Sequence, residues 1–300
     1  MPEPILQVRD LVKRYDQVVA VDHLSLDVNE GEIFGLLGPN GAGKTTTIRI
    51  IMDIFKADEG HVSVLGRDPG KASGLIGYLP EERGLYTKRK VLDCLVYLAR
   101  LKGMSKPDAI ASAGRWLKTL GLAEWAQRRV QDLSRGMQQK IQFIASCVHN
   151  PKLLVLDEPF QGLDPVNVEV IRNLMQQLRQ NGTTLVLSAH EMNRVEELCD
   201  RIAIINHGQR VLYGHLREIQ EQYGSNIIRL QTPAELGELE GVTKVERRNQ
   251  EYLLQIGNTD PQMILAQLVS RGVQIDFFET GSAPLEQIFI NVVTGGQQHV

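Results

Sequence analysis

The chain has 300 residues and a mass of 33.6 kDa, with a formal charge of -3 and a pI near 6.2. That length buries a core in one large or two unequal domains, and the near balance of charge excludes a nucleic-acid binder that works by bulk electrostatics. No stretch approaches ~18 consecutive apolar residues, and Met1-Pro2-Glu3-Pro4 lacks the basic and apolar regions of a signal peptide, so any membrane role is expected to come through a partner.

Strand-like runs at Ile5 to Leu11, Val18 to Val28 and Ile33 to Leu37 give a β-rich start. Between the first two, Val12-Lys13-Arg14-Tyr15 offers an aromatic side chain on an edge element. Tyr15 could stack on adenine, and a packing role fits its spacing as well. Directly after the third strand stands Gly38-Pro39-Asn40-Gly41-Ala42-Gly43-Lys44-Thr45, a complete phosphate-binding P-loop. Its glycines clear side chains from a tight turn, so successive backbone N–H groups can face an anionic phosphate chain at a helix N-terminus. Lys44 is expected to reach the β- and γ-phosphates, and Thr45 to give a hydroxyl ligand to Mg²⁺. Thr46 and Thr47 begin the helix Thr45 to Ile54.

Further apolar runs follow at His61 to Leu65, Ile76 to Leu79, Leu153 to Leu156, Thr183 to Ser188 and Arg201 to Ile205. Helical patterns at Lys90 to Lys102, Pro107 to Leu120, Ser134 to His149, Val166 to Gln180 and Met192 to Cys199 separate them. Such alternation predicts a mainly parallel α/β core. Arg210 to Tyr213 reads as a last strand and Leu216 to Tyr223 as an exit helix. The separated cysteines Cys94, Cys147 and Cys199 have no metal-ligand spacing and read as buried thiols of a reducing cytosol.

After Gly224 the texture changes to strand (Ile227 to Gln231), short acidic helix, strand (Val242 to Arg248), strand (Glu251 to Ile256), helix (Pro261 to Arg271), strand (Gln274 to Phe278) and helix (Leu285 to Val292). The order βαββαβ predicts a small α+β ferredoxin-like domain. Five basic residues stand against nine acidic ones in it, and no catalytic constellation is visible. A packing or regulatory appendage is the expectation.

The residues downstream of the P-loop say what work the nucleotide does. Leu153-Leu154-Val155-Leu156-Asp157-Glu158-Pro159 puts two carboxylates at the end of a buried strand, the edge at which parallel sheets bind ligands. Asp157 is placed to hold Mg²⁺, and Glu158 to polarise the attacking water for in-line displacement. His190 follows the next strand, where it can reach the γ-phosphate. Leu133-Ser134-Arg135-Gly136-Met137 opens a helix with an N-capping serine and exposed backbone N–H groups, a second anion site.

With these segments in this order, and with Gly162-Leu163-Asp164 between them, the chain resembles the ATPase subunit of an ATP-binding-cassette (ABC) transporter. The resemblance implies a P-loop NTPase fold, with an N-terminal antiparallel β subdomain and a helical subdomain at about 85–150. It makes 1–224 the nucleotide-binding domain and 225–300 an accessory domain. It also implies that Ser134 and Gly136 face the P-loop of another copy, so ATP is sandwiched in a homodimer or a pair with a related ATPase, with Asp164 at the interface. Closure on ATP and opening after hydrolysis would then drive a polytopic membrane permease, from the cytoplasmic face of the cell membrane. Tyr78-Leu79-Pro80-Glu81-Glu82-Arg83-Gly84-Leu85-Tyr86 and the appended domain look closest to bacterial ABC-2-type exporters of the sodium-export and drug-export kind. No nucleic-acid partner is implied.

Two residue sets depart from the family pattern. Glu81 stands where a glutamine near Mg²⁺ and the attacking water is usual, which adds negative charge while keeping an acceptor. Arg135 and Met137 replace the more usual glycine and glutamine, with the backbone donors unchanged. Glu81 is expected to link the nucleotide site to the membrane partner. The basic run Lys88-Arg89-Lys90 lies near the permease or is a solvated charge run. The competing function is a soluble ABC ATPase acting as a mechanical switch in repair, translation or assembly. A single cassette without coiled-coil insertions or basic tails argues against it, and the presence of Lys44, Asp157, Glu158 and His190 argues against a scaffold without turnover.

Overall fold

The structure is a computed structural model that describes residues 4–82, 84–224, 226–257, 259–281 and 283–295. Met1 to Glu3 and Arg83, which enter the sequence reading, lie outside the described residues. The chain divides into two compact units, Met1–Tyr213 and Gly214–Val300.

In the first unit, β1 (Leu6–Tyr15) and β2 (Val18–Val28) form an antiparallel hairpin. Next come β3 (Ile33–Leu37), α1 (Lys44–Ile51) and β4 (Glu59–Val64), which pairs with the other side of β1. After a 3-10 turn over Pro69–Leu75, the chain runs through β5 (Ile76–Leu79), α2 (Val91–Leu101), α3 (Lys106–Thr119) and α4 (Arg135–Cys147). It continues as β6 (Leu153–Leu156), α5 (Pro165–Gln180), β7 (Thr184–Ala189), α6 (Met192–Glu196), β8 (Arg201–Asn206) and β9 (Gln209–His215).

The main sheet has the order β5-β6-β7-β3-β8-β9, and β5, β6, β7, β3 and β8 pair in parallel. β3 is central, and every one of its residues is buried. A strand covered on both faces needs a continuous apolar run rather than alternation, which is what Ile33-Phe34-Gly35-Leu36-Leu37 supplies. Because these strands run the same way, Leu37, Leu156 and Ala189 all end on one edge of the sheet, and the segments that follow them meet there.

Helices α3 and α5 are among those that start on side-chain caps the sequence encodes. Ser105 accepts from the Asp108 N–H at 3.3 Å, and Asp164 from the Asn167 N–H at 3.0 Å, with Pro165 opening α5 at a position that needs no donor. Helices α2, α3 and α4 share an apolar core of their own, including Leu95, Ala113, Leu117 and Ile141. Lys102, at the end of α2, anchors this helical part to the sheet. Its Nζ donates to the Ser73 carbonyl at 2.8 Å and the Ile76 carbonyl at 3.0 Å, and His149 Nε2 meets the same Ile76 oxygen at 3.2 Å. Burial lowers the Lys102 pKa, and burial followed by the Lys102 charge pushes His149 down to about 4.

Cys94, Cys147 and Cys199 are free and buried, and burial pushes all three thiols up. Among the described residues no helix is long and apolar enough to cross a membrane.

The second unit holds α7 (Leu216–Gly224), β10 (Ile227–Gln231), β11 (Val242–Arg248), β12 (Glu251–Ile256), α8 (Pro261–Ser270), β13 (Phe277–Thr280) and α9 (Leu285–Gly295). Helix α7 packs on α9, so the exit helix belongs to this unit. The sheet is antiparallel with order β11-β12-β10-β13, in which β12 is inserted between β10 and β11 as in a split βαβ arrangement.

One expected element is absent: the short acidic helix after Gln231 is turn and irregular chain. Thr232 Oγ1 accepts from the Ala234 N–H at 3.1 Å, and Pro233, Gly237 and Gly241 interrupt helical geometry. Leu236 and Leu239 from this segment pack on the core of Ile228, Leu230, Tyr252, Leu254, Ile264 and Leu268. The last strand also begins at Phe277 rather than Gln274, since its pairing starts with Phe277 opposite Gln231.

Candidate active site

The P-loop bridges β3 and α1, and its glycines are required by space. Gly43 has φ 103°, and a Cβ there would sit 2.2 Å from the Ala20 carbonyl oxygen. Gly38 would bring a Cβ to 2.3 Å from the Ile205 oxygen. Only a residue without a side chain lets the loop wrap this tightly. Lys44 is 6% exposed, and its Nζ donates to the Gly38 carbonyl at 2.7 Å and the Pro39 carbonyl at 3.2 Å. The ammonium also lies 4.0 Å from Glu158 Oε1. Burial lowers its pKa, against the opposing pull of Glu158, Asp157 and Glu81.

Asp157 and Glu158 follow β6 on the same edge. Asp157 Oδ1 accepts from Ser188 Oγ at 2.6 Å and lies 3.5 Å from Thr45 Oγ1. Asp157 Oδ2 is buried with no hydrogen-bond partner. Burial raises the Asp157 pKa, the Ser188 hydroxyl opposes this, and the Glu81 and Glu158 charges raise it further. Glu158 holds φ at 49°, a left-handed geometry that costs a side-chain-bearing residue about 1–2 kcal/mol. Two contacts hold it there: its N–H donates to Ser188 Oγ at 2.9 Å, and Oε2 meets His190 Nδ1 at 2.9 Å.

Lys44, Glu158 and His190 line one cavity of about 560 Å³, and Asp157 lies behind its wall beside Thr45. Its wall includes Tyr15, Asn40, Gly41, Ala42, Gly43, Lys44, Thr45, Thr46, Glu81, Glu158 and His190, together with Ala20 and Gln161. Such a volume suits a nucleotide-sized ligand, with backbone donors and a lysine at one end and a half-exposed tyrosine on the wall. Tyr15 is 40% exposed and set edge-on to Phe55. The donor set fits Mg²⁺. A buried carboxylate with one unpartnered oxygen, its other oxygen 3.5 Å from a threonine hydroxyl, suits a hard cation that takes its other ligands from phosphate and water. Among the described residues, no group of three or more His, Cys, Asp or Glu forms an all-protein cage.

A family model described as ABC transporter matches residues 21–161, and one described as ATP-binding protein DrrA1-3-like, C-terminal domain, matches residues 214–293. The uncharacterized ABC transporter ATP-binding protein YhaQ of Bacillus subtilis (strain 168) is 44% identical over 96% of this chain and 98% of that protein. The chain belongs to the ABC transporter ATP-binding proteins. The daunorubicin/doxorubicin resistance ATP-binding protein DrrA of Streptomyces peucetius is 32% identical over 96% of this chain and 92% of that protein. A solved ATP-binding subunit of an ABC transporter matches with a TM-score of 0.68 at 28% identity, covering 73% of this chain and 93% of that one. This chain is thus the ATP-binding and ATP-hydrolysing subunit of an ABC transporter.

Within a single copy of the cassette, Ser134, Gly136 and Asp164 do not line the P-loop cavity. They gather elsewhere. Ser134 caps α4 by accepting from the Met137 N–H at 3.3 Å, and a Cβ on Gly136 would meet the Asn167 amide nitrogen at 3.1 Å. The Asn167 backbone N–H, and then its side-chain amide, hold the Asp164 carboxyl below the usual range. Gln139 Nε2 donates to the Gln161 carbonyl at 2.9 Å, which ties α4 to the stretch between Glu158 and Asp164.

Three residues emerge only from the structure. Ser188 donates to the Asp157 carboxylate and accepts from the Glu158 backbone N–H, Gln161 borders the cavity, and Gln142 pins the Glu81 loop by donating to the Pro80 and Glu82 carbonyls at 3.2 and 3.1 Å. Ser188, two residues before His190, carries a sequence signal, a lone hydroxyl at the end of an apolar strand. Gln142, sixty residues from its partners, carries none.

Proposed function

We propose that this cassette hydrolyses Mg-ATP across the interface of two copies, or of one copy and a related ATPase, and that closure and opening of the pair energise a separate membrane permease of the ABC-2 exporter type. One observation carries the reading: Asp157, with Oδ2 unpartnered, lies 3.5 Å from Thr45 Oγ1 through Oδ1, and the His190-held Glu158 lies 4.0 Å from the Lys44 ammonium. Thr45 and Asp157 would hold Mg²⁺, which when bound neutralises phosphate charge. Glu158 polarises a water as general base, and His190 Nδ1 fixes the rotamer in which Glu158 does so. Lys44 and the backbone N–H groups of the loop from Asn40 to Thr46 grip the phosphates, with Pro39, which has no N–H, shaping the turn and accepting from the Ala42 N–H at 3.2 Å, and Tyr15 stacks on the base.

Ser134, Gly136 and Asp164 belong to the other half of the sandwich, and their placement away from their own copy's cavity supports that reading. Glu81 borders the cavity while Gln142, from the helical part, grips the residues on either side of it. That arrangement supports Glu81 as the link to the permease. The division of labour follows: Met1–Tyr213 for ATP, with 85–150 towards the permease, and the unit from Gly214, rather than from 225, as an accessory domain. The similarity to DrrA and the matched C-terminal model favour an exporter on the cytoplasmic face of the cell membrane.

Glu158→Gln tests the assignment. Turnover should fall about 10²–10⁴-fold, the usual share of a general base, while ATP stays bound and gel filtration shows a trapped dimer. Hydrolysis at the parental rate would remove Glu158 as the base. Lys44→Ala should lose nucleotide binding altogether, and retention of ATP by that variant would count against the phosphate site.

A further inference from the structure

We infer that Gln161 is a further catalytic residue, whose side-chain amide holds the attacking water against Glu158. A second cavity, of about 240 Å³, lies among residues of β5, α4 and α5 and the stretch from Asp157 to Leu163. Three residues border both this cavity and the nucleotide cavity: Glu81, Glu158 and Gln161. Two of them are carboxylates. Gln161 is the neutral member of that shared wall, and it stands there with the base itself.

A tight turn puts it there. Glu158, at φ 49°, bends the chain after β6, and the Gln161 N–H donates to the Glu158 carbonyl at 3.1 Å. From α4, Gln139 Nε2 donates to the Gln161 carbonyl at 2.9 Å. Both backbone polar groups of Gln161 are thus committed, which fixes its position relative to the base. Its side-chain amide makes no hydrogen bond among the described residues, so the backbone is held and the amide is left for a ligand.

In-line displacement needs the water held by two groups, since a single hydrogen bond leaves it free to swing out of line. Glu158 is one of them. The other polar side chains around it are spent. His190 Nδ1 meets Glu158 Oε2, the Ser188 hydroxyl serves Asp157 and the Glu158 N–H, and Lys44 Nζ holds two P-loop carbonyls. Gln142 holds the carbonyls of Pro80 and Glu82. Asn40, Thr46 and Tyr15 border the nucleotide cavity but not the second one. Glu81 shares the wall, yet a carboxylate can only accept. An amide does both: Gln161 Oε1 accepts from the water while Nε2 donates to a neighbouring carboxylate. It therefore fixes the water without adding charge beside Glu81, Asp157 and Glu158.

In the step so arranged, the water oxygen bonds to the γ-phosphorus as one of its protons passes to Glu158. The bond from that phosphorus to the bridging oxygen breaks, and its electron pair stays on ADP. The second hydrogen of the water stays hydrogen-bonded to Gln161 Oε1, and Gln161 exchanges no proton and forms no bond. The inference deepens the proposed reading of this site and rests on Glu158 as the base.

The test is ATP hydrolysis by the full chain carrying Gln161→Ala or Gln161→Glu, each alone and combined with Glu158→Gln. Gln161→Ala should lower kcat about 10–100-fold and leave KM for ATP within about twofold, the pattern of a group that positions the water and not the nucleotide. Gln161→Glu keeps the length and an acceptor but loses the donor and adds a fourth carboxylate, so it should be at least as slow. It also decides the matter if Gln161→Ala is unstable. In the Glu158→Gln background, followed by single turnover, Gln161→Ala should cost less than about twofold more, since the two residues act as a unit on one water. A parental kcat in Gln161→Ala, a raised KM in place of a lowered kcat, or a parental rate in Gln161→Glu each overturns the inference. A loss that persists in full in the Glu158→Gln background overturns it too and leaves Glu158 as the base. Hydrolysis at the parental rate in Glu158→Gln alone removes the base, and the pairing falls with it.

Discussion

At the scale of single residues, Asp157 shows how this site sets function against stability. Its carboxylate is buried, one oxygen is unpartnered, and burial together with Glu81 and Glu158 raises its pKa. A carboxyl whose folded pKa lies above its unfolded value contributes to stability below the unfolded pKa, and that contribution is lost as pH rises through the folded pKa. At neutral pH the ionised Asp157 therefore burdens the nucleotide-free fold. Asp157→Asn should raise the melting temperature without nucleotide, by about 2–4 °C for each kcal/mol relieved, and abolish the further rise given by Mg-ATP. Thermal melts with and without Mg-ATP measure both. A lower melting temperature for the variant without nucleotide would show that Asp157 supports the fold as an ion. Ser188 limits the burden, since its hydroxyl donates to Asp157 and accepts from the Glu158 N–H.

At the scale of elements, the coupling of the Glu81 loop to α4 passes through one buried side chain. Gln142 is 8% exposed and spends its amide on two carbonyls of the loop. Gln142→Ala should cost about 1–2 kcal/mol in denaturant unfolding, the usual loss for hydrogen bonds at a buried amide, and should reduce permease-stimulated turnover more than basal turnover. Equal loss of both rates would place Gln142 in general packing. The comparison with sequence reasoning turns on the same distinction between local and distant cause. The P-loop, the Asp157-Glu158 pair and the capped start of α4 are legible because consecutive residues must meet one local demand: positive φ, a strand end, or an N-cap. Gln142 and Gln161 act only through tertiary neighbours, so no local pattern announces them. The absent helix after Gln231 failed for the opposite reason. Its acidic residues looked helical, but Thr232 offers the backbone a competing hydrogen bond, and Leu236 and Leu239 are pulled onto the sheet.

At the scale of the whole molecule, the separation of Ser134 and Gly136 from the cavity has an arithmetic consequence. In the proposed symmetric sandwich each site would take Lys44 from one copy and Ser134 from the other, so Lys44→Ala and Ser134→Arg should each be inactive alone. Mixed in equal amounts, half of the dimers are hybrid and each hybrid keeps one intact site, so activity should return to about one quarter of wild type. Mixtures that stay inactive would argue for a site complete within one copy. The buried thiols give a way to watch such a molecule move. Cys94 and Cys147 sit in the helical part and Cys199 just before β8, all shielded, with their pKa values pushed up. A thiol-reactive dye can then reach them only when the surrounding structure opens. The labelling half-time in its absence and presence of nucleotide becomes a clock for breathing, read separately for the helices and the sheet by mass spectrometry of the labelled peptides.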